Sequence, residues 1–381
     1  MSKSIPCSVY RGGTSRGLFF KEENLPTSMK ARERIFIQAI GSSDSSQVDG
    51  LGGRSSHTNK VAIIGQSTKE GVDVDYTFVQ LNPHNNQIDY SGTCGNLMSA
   101  VGVYAVDEGM VEIKKPLTVV TVFNTNIDKY LEIEVPITSD GKYTSDGEFY
   151  VAGLNNPGAK IVTKILSPGG TLTDSLFPSG EKSIIQDGSK KYEVSLVDLT
   201  NPFIYIKAKD IGLSGSESID SISSNLEMMD TLERIRKVAA IEFGLASNID
   251  NVSLAIPKIA IVSGPQEYLT ADNKVIKQNQ VDIVTKMLSV GKVHHSFAVS
   301  GLMNVAAASL LENTIVNELS RNKENIELEN DTFIVKVGHA NGVSEVKISL
   351  DSNNNDIKYA ALDRHARRII KGELYLSNWV L

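Results

Sequence analysis

Three short stretches gather the residue types that do chemistry. Arg11-Gly-Gly-Thr-Ser-Arg-Gly17 supplies two guanidiniums, two hydroxyls and glycine-freed backbone amides, an inventory suited to a carboxylate or a phosphate. It lacks the GKS or GKT ending of a P-loop, and a tight hairpin turn explains it equally well. Gly50-Leu-Gly-Gly-Arg-Ser-Ser-His-Thr-Asn-Lys60 leads into the apolar run VAIIG. A lysine there either snorkels to the surface or is held in a pocket, where a partly desolvated amine near positive helix ends suits general-base work. Asp89-Tyr-Ser-Gly-Thr-Cys-Gly-Asn96 sets Cys94 just ahead of an apolar, small-residue helix. The unpaired amides at such a start stabilise a thiolate or bind a carboxylate, while the plain alternative is an inert buried thiol. His294 and His295 are adjacent, so on a helix they diverge by about 100 degrees and at most one faces a site. Arg364 and Arg367 of DRHARR, one helical turn apart, read either as a carboxylate fork or, preferably, as a basic surface before the last strand.

The elements that must position these groups alternate in the first half between short strand-like runs and turns. The runs are Pro6 to Tyr10, Leu18 to Lys21, Val61 to Gly65, Val74 to Leu81, Leu117 to Phe123 and Tyr130 to Ile137. MKARERIFIQAIG reads as an amphipathic helix closed by Gly41, and NLMSAVGVYAVDEG as a buried helix closed by Gly109. A loop-rich tract from Lys160 to Lys191 is the expected linker. Strands resume at Tyr192 to Asp198 and Phe203 to Lys207. LEMMDTLERIRKVAAIEFGLA reads as a helix, IPKIAIVSG as a strand, VDIVTKMLSVGKVHHSFAVSG as a further helix, and LMNVAAASLLEN as a second small-residue stretch. FIVKVGH, EVKISLD and GELYLSNWVL close the chain as strands. SGTCGNLMSA at 91 and SGLMNVAAAS at 300 echo each other, which hints at an internal repeat of two similar domains.

The chain has 381 residues, 41% hydrophobic and 22% charged, a composition that suggests two globular domains. The net charge of −7 repels nucleic acid and anionic lipid, although a locally positive site for a small anion remains compatible with it. Cys7 and Cys94 cannot form a disulfide framework, and the first residues lack the apolar core of a signal peptide. No apolar run approaches the roughly 18 residues of a membrane span. A cytoplasmic protein is expected, with no nucleic-acid or membrane partner; a homo-oligomer is left open.

RGGTSRGLFF, VDGLGG, TNKVAIIG, DYSGTCGN, GKVHH and RHAR, in order along nearly the whole chain, resemble the PrpF-type isomerases. That family includes methylaconitate, methylitaconate and aconitate isomerases and oxalomesaconate tautomerase. The resemblance implies an α+β, diaminopimelate-epimerase-like fold. Two pseudo-symmetric domains would each wrap a curved, mostly antiparallel sheet around a central helix, with the active site between them. The domains would be 1–185, completed by 365–381, and 186–364. The resemblance puts the reactive lysine at Lys60 and the cysteine at Cys94. It puts substrate binding at Gly13, Thr14, Ser15, Arg16, Thr93, Gly95, Asn96, His295 and Gly301. Arg16 stands where the family usually has lysine, and Glu181 where asparagine is commoner.

The expected activity is a cofactor-independent allylic proton shift in a small unsaturated di- or tricarboxylic acid, with no metal and no redox group. The alternatives are a non-catalytic organic-acid-binding or accessory protein and, more distantly, a racemase or epimerase, whose two-base chemistry typically wants a cysteine from each domain.

Overall fold

The computed structural model describes residues 3–377, apart from 45, 83–85, 254–255, 290–291, 295–296, 352 and 354–355. The chain forms two compact units, 1–165 with 363–381, and 166–362. The strands of the first are β1 (Lys3–Gly12), β2 (Ser15–Lys21), β3 (Lys60–Gln66), β4 (Val74–Leu81), β5 (Ile88–Asp89), β6 (Leu117–Asn124), β7 (Lys129–Pro136) and β8 (Ile161–Leu166). Those of the second are β9 (Ser183–Asp187), β10 (Lys190–Leu199), β11 (Asn201–Lys207), β12 (Lys258–Ser263), β13 (Tyr268–Leu269), β14 (Val275–Ile276), β15 (Ile283–Ser289), β16 (Lys292–Val293), β17 (Glu327–Glu329), β18 (Thr332–His339), β19 (Gly342–Leu350) and β20 (Ile357–Arg364). A last strand, β21 (Ala366–Leu376), returns to the first unit. The helices are α1 (Met29–Ile40), α2 (Gly95–Asp107), α3 (Ile219–Ser224), α4 (Leu226–Glu242), α5 (Val299–Leu310) and α6 (Ile315–Leu319).

Pairing in the first unit runs β21-β1-β2-β3-β4-β6-β7-β8, and in the second β9-β10-β11-β12-β15-β18-β19-β20. In both, successive pairs are antiparallel, antiparallel, parallel, antiparallel, parallel, antiparallel, antiparallel. Parallel neighbours need a crossover, and helices supply it: α1 and α2 in the first unit, α3 with α4 and α5 with α6 in the second. Topology therefore carries the internal repeat. Its helix register differs from the sequence echo. Ser91-Gly92 precedes α2, whereas Ser300-Gly301 lies in the first turn of α5, so the equivalent N-cap positions are Cys94 and Ala298.

The two faces of the first sheet take different helices. Leu18, Phe20, Val61, Ile63 and Val79 pack with Ile35, Phe36, Ala39 and Ile40 of α1. That helix ends in a Schellman arrangement, with left-handed Gly41 and the Ser42 amide both bonded to the Ile37 carbonyl. The opposite face receives α2, which is buried from Gly95 to Val106 and touches β1, β2, β3, β6, β7 and β21. Small residues permit this approach: a Cβ on Gly102 would stand 2.5 Å from the Ile133 side chain. In the second unit α5 is the buried helix, and α4 packs outside.

Three expectations need correction. The stretch 281–301 is not one helix: its β-branched IVTKML segment forms β15, paired to β12 and β18, and helix begins only at Val299. DRHARR is extended, so Arg364 ends β20, Arg367 lies on β21, and the two are not one helical turn apart. The units divide at Ile165/Leu166 rather than 185/186, because much of the expected linker is bound into the second unit. There, Thr171, Leu172 and Thr173 donate to the buried Asp198 carboxylate.

Candidate active site

A two-residue turn joins β1 to β2, with Gly12 paired to Ser15. Gly13 has a φ of 47°, and a Cβ there would strike the Asn96 side-chain oxygen, so glycine is required on two counts. Its amide donates to the His365 carbonyl at 3.0 Å, while Arg11 donates to the carbonyls of Gly13 and His365, each at 3.1 Å. The turn is thus fixed to the start of β21.

Ser15 and Gly17 project from one face of β2, the face that α2 occupies. Ser15 Oγ lies 3.8 Å from Cys94 Sγ. A Cβ on Gly17 would lie 2.9 Å from Leu97 of α2 and 3.1 Å from the Lys60 carbonyl. The parallel register of β2 and β3 sets Lys60 beside Gly17, and Gln80 stands directly opposite Lys60 on β4. Lys60, Gln80 and Ser15 therefore share the α2 face, near its N-terminus.

Lys60 is only 8% exposed. Its Nζ donates to Gln80 Oε1 at 2.6 Å and sits 5.0 Å from the Phe78 ring centroid. The Gln80 amide nitrogen donates to the carbonyls of Asn59 and Leu81, which fixes its oxygen toward the lysine. Among the described residues no carboxylate lies within 4.0 Å of Lys60 Nζ. Cys94 is 9% exposed and is the N-cap of α2, with no side-chain cap on the first-turn amides. Burial, followed by the nearby Cys94, pushes the Tyr76 phenol well above its usual range. Cys7 is a different kind of thiol: burial raises it to about 12, and its hydrogen bond goes to the Ser8 carbonyl.

Beside the α2 start lies a cation that the sequence favoured for the surface. Arg364 is 8% exposed; its Nε donates to Asn96 Oδ1 at 3.2 Å and its Nη1 to the Asp363 carbonyl at 2.9 Å. No carboxylate pairs with it among the described residues, and burial lowers it to about 10. Asn96 holds the arrangement together. Its Oδ1 also accepts from the Thr14 amide at 3.4 Å, and its Nδ2 donates to Thr14 Oγ1 at 3.1 Å.

The structure thus gathers Lys60, Cys94, Gly13, Thr14, Ser15, Thr93, Gly95 and Asn96 around one helix start. Thr93 accepts from Asn124 at 2.7 Å. Arg16 points elsewhere, and its guanidinium donates to the Leu51 and Gly52 carbonyls, bracing the loop that leads to Lys60. Gly301 lies in the second unit, where a Cβ would meet the Phe297 and Phe203 rings at 2.6 and 2.7 Å, a packing role. His295 lies outside the described residues, and the neighbouring His294 follows β16 and is not helical. Glu181 offers a carbonyl to Ser195 Oγ within the second unit. Gln80 was not singled out from the sequence; its strand was legible but its cross-strand partner was not.

A family model described as PrpF protein matches residues 2–377. The chain belongs to the PrpF family. Relatives of this PrpF sequence include 3-methylitaconate isomerase of Eubacterium barkeri, 34% identical over 98% of this chain and 97% of that protein. Others are 2-methyl-aconitate isomerase of Shewanella oneidensis, 30% identical over 97% and 96%, and 4-oxalomesaconate tautomerase of Pseudomonas putida, 30% identical over 97% and 95%. A crystal structure of methylitaconate-delta-isomerase superposes with a TM-score of 0.86 at 33% identity, covering 100% of this chain and 97% of that one. The fold alone is shared with a hydroxyproline epimerase from Agrobacterium vitis, at a TM-score of 0.54 and 11% identity over 98% and 93%. The PrpF chain is an isomerase.

Proposed function

We propose that this isomerase moves an allylic proton in a small unsaturated di- or tricarboxylic acid, with Lys60 as the base and the start of α2 as the carboxylate site. The observation that supports it most is the shared face of Lys60, Ser15 and Cys94 at the uncapped helix N-terminus. Proton exchange at Lys60 Nζ breaks a hydrogen bond to a neutral amide, Gln80, rather than an ion pair. Neutral Lys60 takes the allylic proton, and the electron pair spreads through the double bond into the adjacent carboxylate. The amides of Gly95 and Asn96, with Ser15 and Thr14 alongside, face the charge that develops there. Arg364 supplies the counter-ion for a substrate carboxylate, a partner it lacks among the described residues. The proton returns to the far end of the three-carbon unit from the Lys60 ammonium, or from the Cys94 thiol with the Lys60 ammonium then returning its proton to the thiolate, so both residues end as they began without an external acid. Residue content favours this over two-base racemisation, since the position equivalent to Cys94 in the second unit is Ala298 and no cysteine follows Cys94. The two unpaired cysteines suit a reducing, cytoplasmic setting.

The test is proton NMR of purified protein in deuterated water with aconitate, methylaconitate, methylitaconate and oxalomesaconate isomers. Isomerisation with deuterium uptake at the allylic carbons is expected, lost by at least a thousandfold, about 4 kcal/mol of barrier, in Lys60→Ala. Turnover that survives in Lys60→Ala removes the lysine mechanism, and silence across the panel removes the substrate class. Partial internal transfer of label separates return by Lys60 from return by Cys94.

A further inference from the structure

One row of side chains crosses three strands of the first unit. In antiparallel register Lys60 of β3 stands opposite Gln80 of β4, and Gln80 stands opposite Asp89 of β5. Paired residues put their side chains on the same face, so the row reads cation, amide, carboxylate. Neighbouring strands lie about 4.8 Å apart, which sets the Lys60 and Asp89 backbones about 10 Å from one another, within reach of an ion pair were nothing between them. Asp89 instead spends Oδ1 on the Ser91 amide and hydroxyl, at 2.7 and 2.6 Å.

Gln80 is held between the two by its own hydrogen bonds. Its Nε2 donates to the carbonyls of Asn59 at 2.9 Å and Leu81 at 3.0 Å, which can only accept, so Oε1 is the atom left for Lys60, at 2.6 Å. An ionised glutamate would turn an oxygen toward both carbonyls, whereas an amide donates on one side and accepts on the other without carrying charge. The second neighbour of the amine is the Phe78 ring, 5.0 Å from Nζ to its centroid, whose negative face attracts a hydrogen rather than a lone pair. Nζ has three directions besides its bond to Cε. Gln80 takes one hydrogen and Phe78 faces a second, so the third carries the lone pair of the neutral amine and the transferred proton of the ammonium.

We propose that Gln80 is a positioning residue for the base: it screens Lys60 from an ion pair with Asp89 and leaves a single direction open for proton transfer. The inference rests on Lys60 as the base and adds what keeps that base available. A carboxylate partner would hold the proton on the lysine, whereas an amide oxygen accepts from the amine and the ammonium alike. The other titratable or charged groups on elements packed against this face are Tyr76 of β4, Cys94 at the start of α2, and Arg364, bonded to Asn96. None of them is a carboxylate.

The experiment is the pH profile of kcat/KM, on an acid that the wild type turns over, for wild type, Lys60→Ala, Gln80→Glu, Gln80→Leu and Asp89→Asn, each first shown folded by circular dichroism. The limb that reports the base should move in opposite directions in the two Gln80 variants. Gln80→Glu sets a carboxylate against the ammonium and should move it up by about one to two pH units, a roughly 10- to 100-fold loss that recovers at high pH. Gln80→Leu takes an acceptor from the ammonium and should move it down, while the plateau falls roughly tenfold because the amine is no longer aimed. Asp89→Asn keeps an oxygen for Ser91 and should leave the limb where it stands in wild type. A role confined to bracing the backbone beside Lys60 would instead lower activity evenly across pH. A Gln80→Glu limb that does not rise, a Gln80→Leu limb that does not fall, or an Asp89→Asn limb that shifts as far as either would overturn the proposal, and Gln80→Leu decides it should Gln80→Glu fail to fold. Turnover that survives in Lys60→Ala removes the lysine mechanism and this proposal with it, whereas an inactive Lys60→Ala with unmoved limbs removes this proposal alone.

Discussion

Arginine can only donate, so the 2.8 Å contact from Arg11 Nη2 makes His365 Nδ1 an acceptor and leaves the proton on Nε2. Nε2 is buried without a hydrogen-bond partner among the described residues. Protonating Nδ1 would break the Arg11 bond and set a third positive charge beside Arg11 and Arg364. Burial first, and those two cations next, lower His365 to about 4 from its usual 6.5. The unfolded chain therefore binds more protons than the folded one between about pH 4 and 6.5, and stability must fall as pH drops through that window. Urea unfolding of wild type should show this slope, and His365→Gln should flatten it; an unchanged slope would remove His365 as its source. Arg364 yields a kinetic prediction. Arg364→Gln should raise KM for the acid about 10- to 100-fold, the worth of one charge-assisted carboxylate contact, with a smaller change in kcat. Steady-state kinetics on the reactive acid would show it, and a KM within about twofold of wild type would exclude Arg364 as the carboxylate partner.

The buried helices are held by polar side chains as well as by packing. Asn304 of α5 is wholly buried; its amide nitrogen donates to the carbonyls of Val197, Leu199 and Asn201, and its oxygen accepts from Tyr205 Oη at 2.7 Å. One side chain thereby satisfies the turn between β10 and β11. Asn304→Ala removes all of these bonds, although Leu199 keeps the Thr200 hydroxyl as a donor at 2.6 Å, and should cost about 3 kcal/mol in urea unfolding, whereas a loss below about 1 kcal/mol would mean that the helix is placed by packing alone. α2 and α5 were legible as small-residue helices because their composition is distinctive over a whole element. Lys60 and Cys94 were legible because glycines flank them. Arg364 and Gln80 were not, since burial of an arginine and the register opposite Lys60 depend on pairings remote in sequence. The stretch 281–301 misled for a related reason: an apolar run at the centre of a sheet, paired on both sides, has no alternation to separate it from a buried helix.

The repeated order of strands and helices explains how one chain builds two similar units, yet it leaves open how the crossing between them is kept from fraying. Residues 167–181 form a long segment with little regular structure, the kind that is ordinarily mobile and open to proteases. Asp198, fully buried on β10, collects it: Thr171 Oγ1 donates at 2.5 Å, the Leu172 and Thr173 amides at 2.7 Å each, and Thr173 Oγ1 at 2.9 Å. Backbone bonds from Gly170 to the Asp198 carbonyl and from Asp198 to the Leu176 carbonyl clasp the same segment. A buried carboxylate surrounded by donors is favourable only while all of them stay in place, so the charge converts a loose loop into part of the second unit. Asp198→Ala removes all four side-chain bonds and should destabilise the protein by about 2 to 4 kcal/mol. The loss should concentrate in this segment, so that limited proteolysis cuts within 167–181 while the rest of the chain remains folded by circular dichroism. Equal resistance in variant and wild type would show that the backbone bonds suffice, and that Asp198 does not set where one unit ends and the next begins.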